Sequence, residues 1–234
     1  MSFVTVTGEE RRLPLSLAWS TAFEEMAPVR EFSFRRGQRN YAGWYWFATT
    51  GDHVGFESWV ERDQLMLLDF DPEVASVASQ PFRLHWFDEA VGKERHHTPD
   101  YFVRLASGRV RVVDVRPDHL IEPDDAEVFR LTAEACEMVG WEFARVGVVE
   151  AVLRANVRWL AGYRHRRHWN PEIAERLMSI DGSVPLMEHA RRHGDPLQVL
   201  PVLFHLMWSR LLTADLRTTP LGLATLVAKG GPRE

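Results

Sequence analysis

The chain has 234 residues, 45% of them hydrophobic and 11% aromatic, which supplies a real core and excludes a disordered chain. It has no uncharged apolar run of the roughly 18 residues that a membrane span needs, and no basic region followed by an apolar stretch at the N-terminus, so neither a span nor a signal peptide is expected. The single cysteine, Cys136, excludes an internal disulfide, and a reducing cytoplasm is the expected location.

The net charge of −5 does not advertise nucleic-acid binding, but it is unevenly spread. Residues 1–150 carry 16 Lys and Arg against 26 Asp and Glu, whereas residues 151–234 carry 12 against 7. Two modules with different partners are expected, with a boundary at residues 148 and 149. Lys93 and Lys229 are the only lysines, so 26 of the 28 basic residues are arginine.

Residues 1–42 read as irregular, with Arg35, Arg36 and Arg39 clustered near Gly37 and Gly43. "WYWFATTG" reads as a strand running into a turn, with Trp44 and Trp46 expected in the core. "FESWVERDQLMLLDF" has helical spacing, with Trp59, Val60, Leu67 and Phe70 available for burial, and Asp71-Pro72 ends it. On that helix Glu57 and Glu61 are four apart and would share a face. "PFRLHWF" alternates as a strand and "DEAVGKERHHTP" reads as a polar loop. "DYFVRL", the turn "ASGR" and "VRVVDV" form a hairpin, and a helix over about 123–139 leads to a last strand, "WEFARVG". Cys136 lies on that helix as a small core residue. Mixed strands flanked by helices imply a three-layer α/β sheet over roughly 40–148.

From about Glu150 the pattern turns helical. "EAVLRANVRWLAGYR" is amphipathic, and "NPEIAERLMSI" starts with an Asn cap and Pro at the first helical position. "SVPLMEHARRHG" and "DPLQVLPVLFHLMWSR" follow, and "LLTADL" can pair with "LATLVAK". Helix, turn, helix and hairpin is the winged-helix order. Leu200, Val202, Leu203 and Leu206 are expected to be buried, and Arg191 and Arg192 exposed.

The chemistry concentrates at the hairpin. Asp100 opens its first strand, Asp114 nearly closes its second, and Arg116 follows two residues later. Hydrolysis of a phosphodiester at neutral pH needs a divalent ion to polarise the phosphate and activate water. Mg²⁺ takes oxygen ligands, which two carboxylates on adjacent strands supply, and Glu57 and Glu61 offer a third.

The order of these groups is a helical Glu, then Pro-Asp opening a strand, then Asp-x-basic closing the next. It resembles the PD-(D/E)xK nuclease pattern, and more closely the TnsA-like endonuclease subunit of heteromeric transposases. "GQRNYAGWYWFATTGDHVGFESWVERDQLMLLDFDPEV", "SQPFRL", "HTPDYFV", "GRVRVVDVRP" and "WLAGYR" carry the likeness, from about residue 37 to 163. The resemblance implies a restriction-endonuclease-like domain over 1–148 and a helical, winged-helix-like domain over 149–234. It makes Glu61 the helical catalytic acid, with Glu57 the alternative, and Asp100 and Asp114 the metal-binding carboxylates. The ion would be Mg²⁺, with Mn²⁺ as a substitute. Arg116 stands where a catalytic lysine belongs; arginine stays protonated, so it cannot be a general base, although it can contact phosphate. The implied function is nicking of double-stranded DNA at the 5′ ends of a mobile element. A DDE-type transposase partner would act on the 3′ ends, and an AAA+ ATPase would regulate both. A non-catalytic adaptor of the same machinery and a stand-alone nuclease are the alternatives.

Four further features stand out. His96 and His97 read as loop residues near the DNA. "YRHRRHW" (163–169) fits a phosphate-contacting stretch or a solvated linker equally well. Gln80, at a strand start, is expected to hydrogen-bond locally.

Overall fold

A computed structural model describes residues 1–30, 32, 41–89 and 92–231. The Arg35, Arg36 and Arg39 cluster therefore lies outside the described residues. The chain divides into two compact units, one of residues 1–65 and 73–148 and the other of 66–72 and 149–234.

The first unit opens with a hairpin of β1 (Ser2–Val4) and β2 (Glu10–Arg12) and a one-turn helix, α1 (Leu15–Ala18). Order thus extends into a stretch that reads as irregular in sequence. Phe3 and Phe23 from this segment are 5% and 0% exposed, and Phe23 packs edge-on against Phe3, Phe82 and Phe102. The N-terminal segment therefore completes the core. A second hairpin pairs β3 (Gly43–Phe47) with β4 (Asp52–Phe56). Trp44 is 52% exposed, contrary to the core position expected for it.

α2 (Trp59–Phe70) follows. Ser58 caps it, and Leu65 and Met66 are its most buried residues, whereas Trp59 stands half exposed with the Arg62 guanidinium over its ring. β5 (Val74–Ser79) is next. β6 (Leu84–Asp88) then pairs with β7 (Lys93–His97), so "KERHH" is a strand rather than loop. Its charged sequence hides it, because both faces of this ribbon carry polar side chains and no apolar alternation results. β8 (Tyr101–Leu105) and β9 (Val110–Val115) form the hairpin expected from sequence. Gly108, at φ 84°, takes the left-handed turn position. α3 (Pro123–Glu137) starts with Pro123 and a reciprocal cap between Glu122 and Asp125. It ends near Gly140, also left-handed, and leads into β10 (Glu142–Val146).

The central sheet runs β10-β9-β8-β5. β10 is parallel to β9 and the other pairs are antiparallel. Helix, three strands, helix and a returning parallel strand make a restriction-endonuclease-like mixed α/β fold. Val112, Phe102, Phe82, Trp141 and Cys136 close its core. Burial pushes the Cys136 thiol up to about 12, as befits a packed rather than reactive side chain.

The second unit holds α4 (Ala151–Ala161), α5 (Pro171–Met178), β11 (Ser183–Pro185), α6 (Leu186–His193), α7 (Pro196–Trp208), β12 (Leu212–Thr213) and β13 (Leu226–Lys229). Asn170 caps α5 and Asp195 caps α7 through backbone N–H groups, each ahead of a proline. The sheet order β11-β13-β12 with this element order is winged-helix-like. Phe70 belongs to this unit, its ring centroid 5.2 Å from that of Trp208. Val202, Leu203 and Leu206 are buried, Leu200 is half-buried, and Arg191 and Arg192 are exposed. In "YRHRRHW", Arg166–His168 form a short 3-10 turn in which Arg166 and Arg167 are exposed. Among the described residues no helix is long and apolar enough to cross a membrane.

Candidate active site

The site is built on the β8–β9 hairpin. Tyr101 pairs with Val113, and one further step in that register sets Asp100 opposite Asp114, where facing residues share a face. The two are tied reciprocally. The Asp100 N–H donates to Asp114 Oδ1 at 3.3 Å, and Asp100 Oδ2 accepts from the N–H of Val115 at 2.7 Å. Asp114 is 2% exposed, and its Oδ2 lies 2.9 Å from His97 Nε2. The contact needs one proton between the two groups, and Nε2 supplies it wherever the carboxylate is ionised.

Glu61 arrives from the start of α2. Its Oε1 accepts from Ser58 Oγ and its Oε2 from the N–H of Glu57, both at 2.7 Å, while the Glu61 N–H donates to Ser58 Oγ at 3.2 Å. This reciprocal arrangement caps the helix. Glu57 precedes the helix rather than lying on it, so the shared helical face expected for the two acids is corrected. Glu57 instead forms an ion pair with Arg30.

Electrostatics join these groups. The Asp100 carboxyl is held well above the usual carboxylate range, first by burial, then by the negative charges of Glu61 and Asp114. The Val115 N–H and the Arg30 charge oppose this only in part. Burial also raises Glu61, against the hydrogen bonds from Glu57 and Ser58. After burial, the Glu61 charge is the largest influence on Asp100.

Arg116 stands at the position of the expected lysine, but its guanidinium is engaged by Leu120 and Asp125. Its Nε donates to the Leu120 carbonyl at 3.1 Å and its Nη2 to Asp125 Oδ2 at 2.9 Å. Asp125 is a fixed anion at the start of α3, where it also accepts from the Glu122 N–H at 3.1 Å. The turn at Asp118–Leu120 brings the carbonyl within reach.

His96 and His97 sit on β7, not in a loop. His96 pairs with His85 across the ribbon, and His97 reaches Asp114. Gln80 is 3% exposed in a left-handed conformation (φ 48°). Its N–H donates to the Asp100 carbonyl at 2.8 Å, and its own carbonyl accepts from Val29 at 2.9 Å. Its side-chain oxygen is buried and has no hydrogen-bond partner among the described residues. Sequence reasoning missed His97 as a partner of Asp114, although its place three residues before Asp100 was a usable signal. It missed Arg30 altogether, and no motif marks that residue.

The donor set suits a hard dication. Its ligands would be carboxylate oxygens, and mutual repulsion of the kind felt at Asp100 is what a bound cation relieves. No ready cage of three or more His, Cys, Asp or Glu side chains exists among the described residues. Both Glu61 oxygens are committed to the helix start, so they would have to share their lone pairs or shift to reach an ion.

Residues 71–146 match the family model described as TnsA-like endonuclease N terminal. The chain carries a TnsA-like endonuclease domain. PD-(D/E)xK is the general kind to which such domains belong. The matched span contains Asp100, Asp114 and Arg116, while Glu61 lies upstream of it. No curated protein matches the chain.

Proposed function

We propose that the chain is a metal-dependent DNA endonuclease subunit of a heteromeric transposase, nicking double-stranded DNA at the 5′ ends of a mobile element. The observation that carries the reading is the facing Asp100–Asp114 pair, with the Glu61 charge acting on Asp100, within a fold whose hairpin lies in the TnsA-like span. Asp100, Asp114 and Glu61 would hold Mg²⁺, or Mn²⁺ in its place. When bound, such an ion polarises the phosphate and makes an attacking water acidic. His97 keeps the Asp114 carboxylate oriented through its Nε2–H. The partners are a DDE-type transposase subunit and an AAA+ ATPase, and the acidic first unit leaves DNA targeting largely to them.

The test is nicking of element-end DNA by the full chain with Mg²⁺ or Mn²⁺, with and without the transposase partner. Parent activity that needs the ion and disappears in Asp100→Asn supports the reading. No ion-dependent nicking under any of these conditions would refute it. One second reading has a specific observation behind it: an adaptor with a weakened site. Arg116 bound to Asp125, and both Glu61 oxygens committed to the helix cap, favour it. An adaptor would support transposition unchanged when Asp100 is replaced by Asn.

A further inference from the structure

We propose that Arg30 is the cation that meets the scissile phosphate, doing the charge-stabilising work for which PD-(D/E)xK sites use a lysine. The inference rests on the nuclease reading above.

In-line displacement at phosphorus builds negative charge on the non-bridging oxygens, and a fixed cation aimed there is a large catalytic factor. The usual candidates do not serve. Lys93 opens β7, four residues before His97, which at strand rise is about 13 Å away. Arg116 is held at the start of α3 by Asp125 and Leu120.

Arg30 is anchored to both halves of the site. On one side its guanidinium pairs with Glu57, whose backbone N–H holds Glu61 Oε2. On the other, the preceding residue, Val29, donates its N–H to the Gln80 carbonyl, and Gln80 in turn donates to the Asp100 carbonyl. The Arg83 guanidinium donates to the Val29 carbonyl at 2.7 Å and fixes this segment further. The Arg30 charge consequently acts on Glu61 and Asp100 together. Its side chain is 50% exposed, so a phosphate can reach it. Glu57 is its one hydrogen-bonding partner among the described residues, which leaves further donors of the five-donor fork for phosphate oxygens. Arginine keeps its proton at any working pH; Arg30 therefore contributes charge and positioning, and proton removal from the water falls to another group.

The bland alternative is a surface ion pair that merely steadies Glu57. Four forms of the full chain, each with the transposase partner and Mn²⁺, separate the two: parent, Arg30→Ala, Arg30→Lys and Glu57→Gln. Single-turnover nicking and DNA affinity by fluorescence anisotropy are measured, with thermal melting as a check on folding. Arg30→Ala is expected to nick about 10²- to 10³-fold more slowly, with DNA affinity changed far less. Arg30→Lys should recover much of the loss. Glu57→Gln, which breaks the ion pair but keeps Arg30, should cost much less than Arg30→Ala. Arg30→Ala nicking within threefold of an active parent would overturn the assignment and leave the nuclease reading standing. Equal losses in Arg30→Ala and Glu57→Gln would reduce Arg30 to a structural partner and also overturn it. A parent that does not nick would overturn the nuclease reading and this inference together.

Discussion

Replacing Asp114 separates its structural work from its chemistry. Its carboxylate is 2% exposed and accepts from two donors, the Asp100 N–H and His97 Nε2. Asp114→Ala would strand both. An orphaned buried donor costs roughly 1–3 kcal/mol. The His97 side chain is 21% exposed, so water can rescue it in part, and a total of about 2–4 kcal/mol is expected. At about 4 °C per kcal/mol for a unit of this size, the first unit should melt about 8–16 °C lower. Asp114→Asn keeps the shape and the acceptor for the Asp100 N–H, and the His97 ring can shift its proton to the other nitrogen and accept from the new amide. It also removes one of the charges that crowd Asp100. Its stability should fall within about 1 kcal/mol of the parent, while ion-dependent nicking is lost. Scanning calorimetry and the nicking assay on the same preparations measure both. Equal melting losses in the two variants would show that the donors are not held as described, and the reasoning would fail.

Asp100 and Glu61 have carboxyl groups raised in the folded state, so the folded chain binds protons more readily than the unfolded one; stability from these groups is full at acid pH and declines as pH rises from the ordinary carboxylate range through the raised values. Asp100→Asn should therefore melt higher than the parent at pH 7, with the difference shrinking towards pH 4. Mg²⁺ at about a hundred times its dissociation constant should stabilise the parent by about 2.7 kcal/mol and Asp100→Asn far less, read as a calorimetric shift in the absence of DNA. Cys136, buried and with its thiol pushed up to about 12, should resist a thiol-reactive dye at pH 8 in the native protein and react once urea unfolds it.

The β8–β9 hairpin was legible because both strands alternate or run apolar around a glycine turn, and local pattern decides such elements. α3, α5 and α7 were legible for the same kind of reason: each carries its start signal, a capping residue followed by proline, in the chain itself. The order of Glu61, Asp100 and Asp114 also lay in the sequence, because one helix and two adjacent strands carry them. What only the tertiary structure decided is the set of partners. β7 is a strand because β6 offers it a ladder, not because "KERHH" has strand patterning, and that pairing alone brings His97 to Asp114. Arg116 turns to Asp125 because the start of α3 presents that carboxylate within reach of its guanidinium. Arg30, about seventy residues upstream of Asp100, meets the site through Val29 and Gln80, and backbone hydrogen bonds of that range leave no periodic trace in a sequence. Residue order encodes which chemistry is available, while the competition among charges for the nearest counter-charge is settled only once distant segments are packed together.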